Sequence, residues 1–581
     1  MADHMSVPGD LDGPCSTLTT TQPESPKIPF HKKILLKVHQ LRSNRRLCDV
    51  VLRAGDTEIP SHRSILAAVS SYFTAMFTHE LMESRQEVIE IKDMPGHVLS
   101  SLIDFAYTGD IELNVDNVQE ILSASSLLQI HEVQDLCCSF LMKQLDVSNC
   151  LGIKTFVEAN GCPQKITSDI DRFACRHFQQ VAMGTEFLSS SSENVSSLVS
   201  SLDLKVSNEE EVYTAVIEWI KQDPEERKTH LPSLLSHVRL PMLSVSYLME
   251  KVDTEPLIRD QPECRDLLDE AKRHHLLPHQ RDIRSPIPRF HPRKSTVGIL
   301  YAVGGKESSE SITRSVEIYS LLDDSWTEAT GMIVRRQQLG VGVLDGKVYA
   351  VGGSDGSLRL SSVECFDPAT NFWSFVAPMG TCRSGVGVGV LGGAMCAAGG
   401  YDGRSCLNTV ERFDPDKNLW SNIAHMSTRR SFPGVAVYDG QLYVFGGNDG
   451  TSFLSIVERY DPHINRWLTI PSLNKPRAGI GVAVLGSQIF VAGGNDGTSR
   501  LDSVEFLDIR TNAWQTVAPM RSARDGVSLC ALGNQLIAVG GINGPSYLRS
   551  AELYDPVSNS WEDLKSMQTC RAAAGVAVIK C

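Results

Sequence analysis

The stretch GVAVYDGQLYVFGGNDGTSFLSIVERYDPHINRW, residues 434–467, decides how half of this chain is read. Gly434–Tyr438 is apolar, and Asp439-Gly440 after it is the dipeptide of a two-residue hairpin turn. Leu442–Phe445 runs into Gly446-Gly447, and Asn448–Leu454 is a polar loop. Ser455–Tyr460 alternates and ends at the breaker Asp461-Pro462. Trp467 opens a last short strand, so the unit predicts four strands. The unit also recurs. Trp326, Trp373, Trp420, Trp467, Trp514 and Trp561 are all 47 residues apart. The same interval separates Glu317, Glu364, Glu411, Glu458, Glu505 and Glu552, and again Arg336, Arg383, Arg430, Arg477, Arg524 and Arg571. Gly-Gly pairs begin at Gly304, Gly352, Gly399, Gly446, Gly493 and Gly540, with one interval of 48 and the rest 47.

Four strands in roughly 45 residues is the arithmetic of a β-propeller blade. The first copy starts at Val297–Gly304 with no Gly-Val-x-Val strand before it, and the last copy ends with an extra one, Ala574–Ile579. The C-terminal strand is therefore predicted to complete the first blade, giving six blades over 297–581 and no free sheet edge. The repeated residues read as scaffold. Gly-Gly permits close backbone packing, Trp supplies apolar area between blades, and Glu with Arg predicts a charge pair. Gly-Gly, the Tyr/Phe-Asp-Pro step, the Trp and Met-x-x-x-Arg resemble the Kelch repeat in all copies. Departures are small: Ser320-Leu321 stands for Asp-Pro, Leu507-Asp508-Ile509 interrupts copy five, and Leu473 replaces Met.

Outward from the repeat, 581 residues predict about four domains at roughly 150 residues each. Lys+Arg of 55 against Asp+Glu of 69 leaves a net charge of −14, which disfavours a nucleic-acid partner. No apolar run approaches the ~18 residues of a membrane span. Residues 1–29 are polar and lack a signal-peptide pattern. They read as a disordered tail of a cytoplasmic protein, with cytoskeletal and nuclear sites left open. The 15 cysteines show no zinc-ligand spacing. Cys137-Cys138 sit on a helical stretch, where small apolar helix residues are a better reading than a redox role.

In the front half, residues 31–42 place Ile34, Leu35, Val38 and Leu41 on one helical face. Cys48–Leu52 and Thr57–Ile59 read as strands, Ser61–Phe77 as one helix, Val88–Ile91 as a strand, and Val98–Tyr107 and Val118–Ile130 as helices. This mixture predicts one α+β domain. Leu47-Cys48-Asp49-Val50, Pro60–Ala68, Tyr72–Phe77 and Asp104–Gly109 closely resemble the BTB domain. Residues 147–281 read as helical, and Ser207 with Glu210 forms a capping box for a helix that Asp223-Pro224 stops. Asn149–Ile153, Val238–Pro241 and Cys264–Ala271 resemble the BACK domain. Pro286, Pro288 and Pro292 mark 282–296 as a linker. BTB (30–145), all-α BACK (146–281) and an all-β six-bladed propeller (297–581), in that order, resemble the Kelch-like family.

No phosphate loop, HExxH or nucleophile elbow occurs, so neither enzyme nor cofactor nor metal site is expected. The resemblance implies a BTB homodimer through Ile34, Leu35, Val38 and Leu41. It also implies docking onto cullin-3, with Leu81 filling an apolar pocket, Glu83 accepting hydrogen bonds, and Ala75, Met76 and Cys162 on the same surface. On the propeller, the partner-reading positions are those that vary while their neighbours repeat. These are Gln338 and Phe432 after the repeated Arg, Ser354, Tyr401, Asn448 and Asn495 after Gly-Gly, and Arg359, Phe453, Arg500 and Tyr547 just before each loop's final Ile or Leu. In the first loop that final residue is Ile312. Arg359 and Arg500 point to an acidic substrate segment. The family thus implies a substrate adaptor of a cullin-3 ubiquitin ligase, and as alternative a dimeric scaffold that binds actin.

Overall fold

The computed structural model describes residues 30–78, 85–277, 283–308 and 311–580. The expected tail, 1–29, lies outside them, as do Leu81 and Glu83. The chain divides into two compact units. One runs to Asp146 and includes Gly152–Ile170; the other comprises Val147–Leu151 and everything from Asp171 onward.

The first unit is α+β. Val50–Ala54 pairs antiparallel with Thr57–Ser61 and parallel with Val88–Glu90, so the first strand is central. Leu52 from that strand and Leu99, Leu102, Ile103 and Leu122 from the helices are fully buried and form the core. Helix Phe30–Ser43 packs on helix Gly96–Thr108. Arg42 joins them, 2.7 Å from Asp104 and 4.9 Å above the Tyr107 ring.

The single helix expected over 61–77 is two helices, Arg63–Val69 and Ser71–Thr78. Ser70 between them is extended, at φ −133°. Its Oγ donates to the Leu128 carbonyl at 2.5 Å and accepts from the Phe73 amide at 3.1 Å. A distant carbonyl thus competes with helical geometry, and the same hydroxyl caps the next helix.

In the second unit the helix expected from the Ser207/Glu210 box spans Glu209–Gln222, but Asn208 caps it, accepting from the Glu211 amide at 3.3 Å. Either residue type can cap; Asn208 has the extended backbone that a cap needs. Trp219 anchors this helix, donating to the Ser190 carbonyl at 3.1 Å beneath the Arg227 guanidinium. The proline-bearing run from Ile283 is tied down along its length. Arg293 is buried and reaches both Glu209 carboxylate oxygens, at 2.8 and 2.7 Å, and the Val199 and Ser201 carbonyls, at 2.9 and 2.6 Å. Arg239 donates to the His291 carbonyl at 2.7 Å, and His291 Nδ1 lies 2.8 Å from the Asn534 amide nitrogen in the propeller. The run is a strap between the helices and the blades.

The propeller has six four-stranded antiparallel sheets. The quoted unit forms Gly434–Tyr438, Gln441–Phe445, Val457–Asp461 and Arg466–Ile470 in that spatial order. The first blade borrows its inner strand from the C-terminus: Gly575–Ile579 lies antiparallel to Ile299–Val303, Gly575 opposite Val303. Inner strands Gly340–Leu344, Gly387–Leu391, Gly434–Tyr438, Gly481–Leu485, Ser528–Leu532 and Gly575–Ile579 contact one another in turn, and the last touches the first. The ring is closed.

Each repeated residue has a mechanical role. Arg383 Nε and Nη2 meet Glu411 Oε1 at 3.1 and 2.9 Å, and Arg383 Nη1 donates to the Gly399 and Thr409 carbonyls at 2.7 and 2.9 Å. The other Glu411 oxygen accepts from the Gly380 amide at 2.6 Å. The pair is buried with its lone pairs occupied, the condition under which an interior ion pair is tolerated. It fastens the loop leading into a blade onto that blade's third strand. Arg571 with Glu317 does the same across the closure. Each Trp instead links neighbours: Trp373 Nε1 donates to the Thr330 carbonyl of the preceding blade at 2.8 Å. Gly446 and Gly447 sit at φ +53° and +99°, and a Cβ on Gly446 would strike the Arg477 carbonyl.

Candidate interaction surfaces

The positions chosen for their variation are woven together in each blade. Ser354 pairs with Arg359 and with Gln337, Tyr401 with Cys406 and Ser384, Asn448 with Phe453 and Ser431, and Asn495 with Arg500 and Ala478. Ile542 pairs with Tyr547 in a short ladder and with Asp525 in a bridge. The loop after Gly-Gly and the residues after the repeated Arg therefore make one patch per blade.

The first loop differs from its reading. Lys306 pairs with Ile312, and Thr313 donates its amide to Gly305 as Leu360 does to Gly353. The loop is one residue longer, which accounts for the interval of 48. Ile312 therefore occupies the place of Arg359, and Thr313 that of the final apolar residue.

The patches are joined by a closed ring of backbone hydrogen bonds. Gln338 donates to Ala573 at 2.8 Å, Gly385 to Gln338 at 2.8 Å, and Phe432 to Gly385 at 2.8 Å. Gly479 donates to Phe432 at 3.1 Å, Gly526 to Gly479 at 2.9 Å, and Ala573 to Gly526 at 2.9 Å. All six residues have positive φ, between 48° and 66°. Glycine takes this conformation without penalty. Gln338, Phe432 and Ala573 take it at a cost of about 1 kcal/mol each or more, held by the ring itself. The sequence showed these positions only as variable; the ring that joins them was not legible there.

The side chains form a mixed surface. Arg359 lies 5.8 Å from the Tyr401 ring centroid, and Lys306 lies 5.9 Å from that of Tyr547. Phe453 covers Gly497 of the next loop, where a Cβ would come within 2.9 Å of its ring. Phe432 covers Gly385 in the same way, at 3.0 Å. Asn495 donates to Asp525 at 3.4 Å, and Arg500 stands in its field. Burial pushes the Asp525 carboxyl up, outweighing Asn495 and Arg500, which act downward. Asp525 was not among the chosen positions, although it occupies a varying one. Ser354 is the exception to the choice: it is 3% exposed, and its Oγ accepts from the Gly356 amide in its own loop. The acidic residue in the four Asp-Gly loops that follow Gly-Gly serves the turn. Asp402 Oδ1, for example, accepts from the Arg404 and Ser405 amides at 2.7 Å, which holds its carboxyl low.

In the first unit, helix Ser71–Thr78 presents Ala75 exposed and Met76 half-buried, with Phe73 and Phe77 stacked behind them. Cys162 is half-buried, its sulfur 3.2 Å from that of Cys138. On helix Phe30–Ser43, Ile34 is 47% exposed and Leu35, Val38 and Leu41 are half-buried. Phe30 on the same helix is 78% exposed, so a large apolar surface faces outward there. Among the described residues no group of three His, Cys, Asp or Glu side chains could hold a metal, and no helix is long and apolar enough to cross a membrane.

The chain matches the BTB/POZ domain over residues 38–145 and the domain described as BTB And C-terminal Kelch over 150–253. It matches the Kelch motif over 298–333 and 335–380, and the KLHDC2/KLHL20/DRC7 Kelch-repeats domain over 390–579. The chain belongs to the Kelch-like BTB–BACK–Kelch family. Kelch-like protein 3 of Homo sapiens is 44% identical over 334 residues, 57% of this chain and 56% of the relative. Kelch-like protein 3 of Danio rerio is 43% identical over 330 residues, 56% and 55% of the two chains. Kelch-like protein 5 of Homo sapiens is 44% identical over 312 residues, 54% and 41%. The chain thus spans about half the length of the curated relatives that it matches.

Proposed function

We propose that this Kelch-like chain is a substrate-recognition adaptor of a cullin-3 RING ubiquitin ligase. The propeller captures a protein substrate and the BTB and first BACK helices dock the cullin. It performs no bond chemistry; it raises the effective concentration of the substrate near the ubiquitin carrier. A BTB dimer through Ile34, Leu35, Val38 and Leu41 pairs two propellers and adds avidity. The observation that carries the reading is the division of labour on the propeller. The residues that repeat are buried in scaffold contacts, while Arg359, Tyr401, Phe432, Phe453, Arg500 and Tyr547, which do not repeat, gather on joined loop patches. Aromatic and arginine side chains are common anchors of protein interfaces.

Titration of the full chain with a cullin-3 N-terminal domain tests the docking half. Binding is expected, and Glu83→Lys should weaken it at least tenfold, since it reverses a charge at a hydrogen-bonding rim. No binding, or binding indifferent to Glu83→Lys, overturns the ligase reading and leaves the actin-binding scaffold. For the propeller half, Arg359→Ala/Arg500→Ala/Tyr547→Ala is expected to lose the proteins that the unaltered chain captures. Recovery of the same proteins would show that another face binds them.

A further inference from the structure

We propose that Cys138 and Cys162 form a reversible intrachain disulfide under hydroperoxide oxidation, making the chain around Cys162 a redox-responsive clasp on helix His131–Lys143. Their sulfur atoms are 3.2 Å apart. Cys138 is 1% exposed on that helix, and Cys162 is half-buried just beyond helix Cys150–Ala159. The approach is built by two hydrogen bonds and a turn. The Cys162 amide donates to the Val157 carbonyl at 3.1 Å, Gly161 turns the chain at φ +63°, and Ser126 Oγ donates to the Asn160 carbonyl at 2.7 Å. Helix Val118–Leu127, which carries Ser126, packs on the helix that carries Cys138. Since a disulfide bond is about 2.05 Å long, the sulfurs need to close by only about 1 Å. Cys137 precedes Cys138 on the helix, but the sulfur in contact with that of Cys162 is the Cys138 sulfur.

Burial pushes the Cys138 thiol up, with its hydrogen bond to Cys162 acting the same way. Cys138 is therefore a poor first nucleophile. Cys162, the more exposed, takes that role. Its thiolate attacks one hydroperoxide oxygen, the O–O bond breaks, and a sulfenic acid forms with release of water or alcohol. The Cys138 sulfur then displaces the sulfenic oxygen, which leaves as water with the Cys138 proton. Two thiols have lost two electrons, and the hydroperoxide has gained them. A small dithiol reverses the bond by exchange. Cys162 also belongs to the surface assigned above to cullin docking, so a functional consequence there rests on that reading, whereas the clasp itself does not.

The test uses the full chain, hydrogen peroxide, alkylation of remaining thiols, proteolysis and mass spectrometry. The expected result is loss of alkylatable Cys162, with a Cys138–Cys162 linked peptide that disappears on reduction. In Cys138→Ser the linked peptide should be absent and Cys162 should be trapped as a sulfenic adduct by a cyclic 1,3-dione. Cys162 that stays alkylatable, joins another cysteine, or is oxidised to the sulfinic acid without the linked peptide would overturn the proposal. Cullin binding is measured separately on reduced protein, so failure of docking and failure of the clasp give different results.

Discussion

Asp525 shows how one carboxylate can shape the loop patches of the propeller. A Cβ at Gly479 would lie 2.5 Å from Asp525 Oδ1, so glycine there makes room for the acid. With its folded pKa raised, mainly by burial, Asp525 favours the native state while protonated. That contribution is complete below the ordinary aspartate value near 3.9 and is lost as pH rises through the higher folded pKa. Asp525→Asn cannot ionise. The melting temperature of the variant should therefore gain on that of the unaltered chain as pH rises from about 4, then keep a constant lead. A difference independent of pH would show that the site does not strain the carboxylate. The role of Asp525 was not legible beforehand. A variable position in a repeat marks freedom from packing, and only the approach of Asn495 and Arg500 from the neighbouring loop shows what fills it.

At the scale of elements, periodicity located most helices and strands but not the break within 61–77. Apolar residues continue with helical spacing through Ser70, and the signal against helix comes from Leu128, 58 residues away. Ser70→Ala removes both the interrupting bond and the cap on the following helix. Loss of a cap costs about 1 kcal/mol and leaves the Leu128 carbonyl without this donor. Amides of Ser71–Thr78 should lose protection against hydrogen exchange by a factor of about 5–30. Unchanged protection would place the cap's contribution elsewhere. The strap from Ile283 teaches a similar lesson. Its prolines do mark a stretch outside α-helix and sheet, with one short 3-10 turn at Pro288–Phe290, yet Arg293 and Arg239 find partners that no local pattern reveals.

The whole propeller depends on closure. Gly575–Ile579 supplies the inner strand of the first blade, and Arg571 with Glu317 locks the lead-in loop of that strand. Deleting 575–580 would leave Ile299–Val303 with an unpaired edge and open the ring. The truncated chain should melt more than about 10 °C lower and bind a hydrophobic dye. Melting within a few degrees of the full chain would mean that the blades do not need their clasp.

The sequence by itself determined the blade count, the four strands of each blade and the shared closure. It did so because one packing solution repeated six times writes the same Gly-Gly, Glu, Trp and Arg at the same spacing. It also marked where the scaffold stops constraining the side chain. Tertiary structure alone decided that the Arg–Glu pair closes within a blade and that the Trp joins neighbours. It alone set the six left-handed residues in a hydrogen-bonded ring, Asp525 beside Arg500, and Cys162 against Cys138. These features depend on contacts between distant residues, and a distance across the fold leaves no period along the chain.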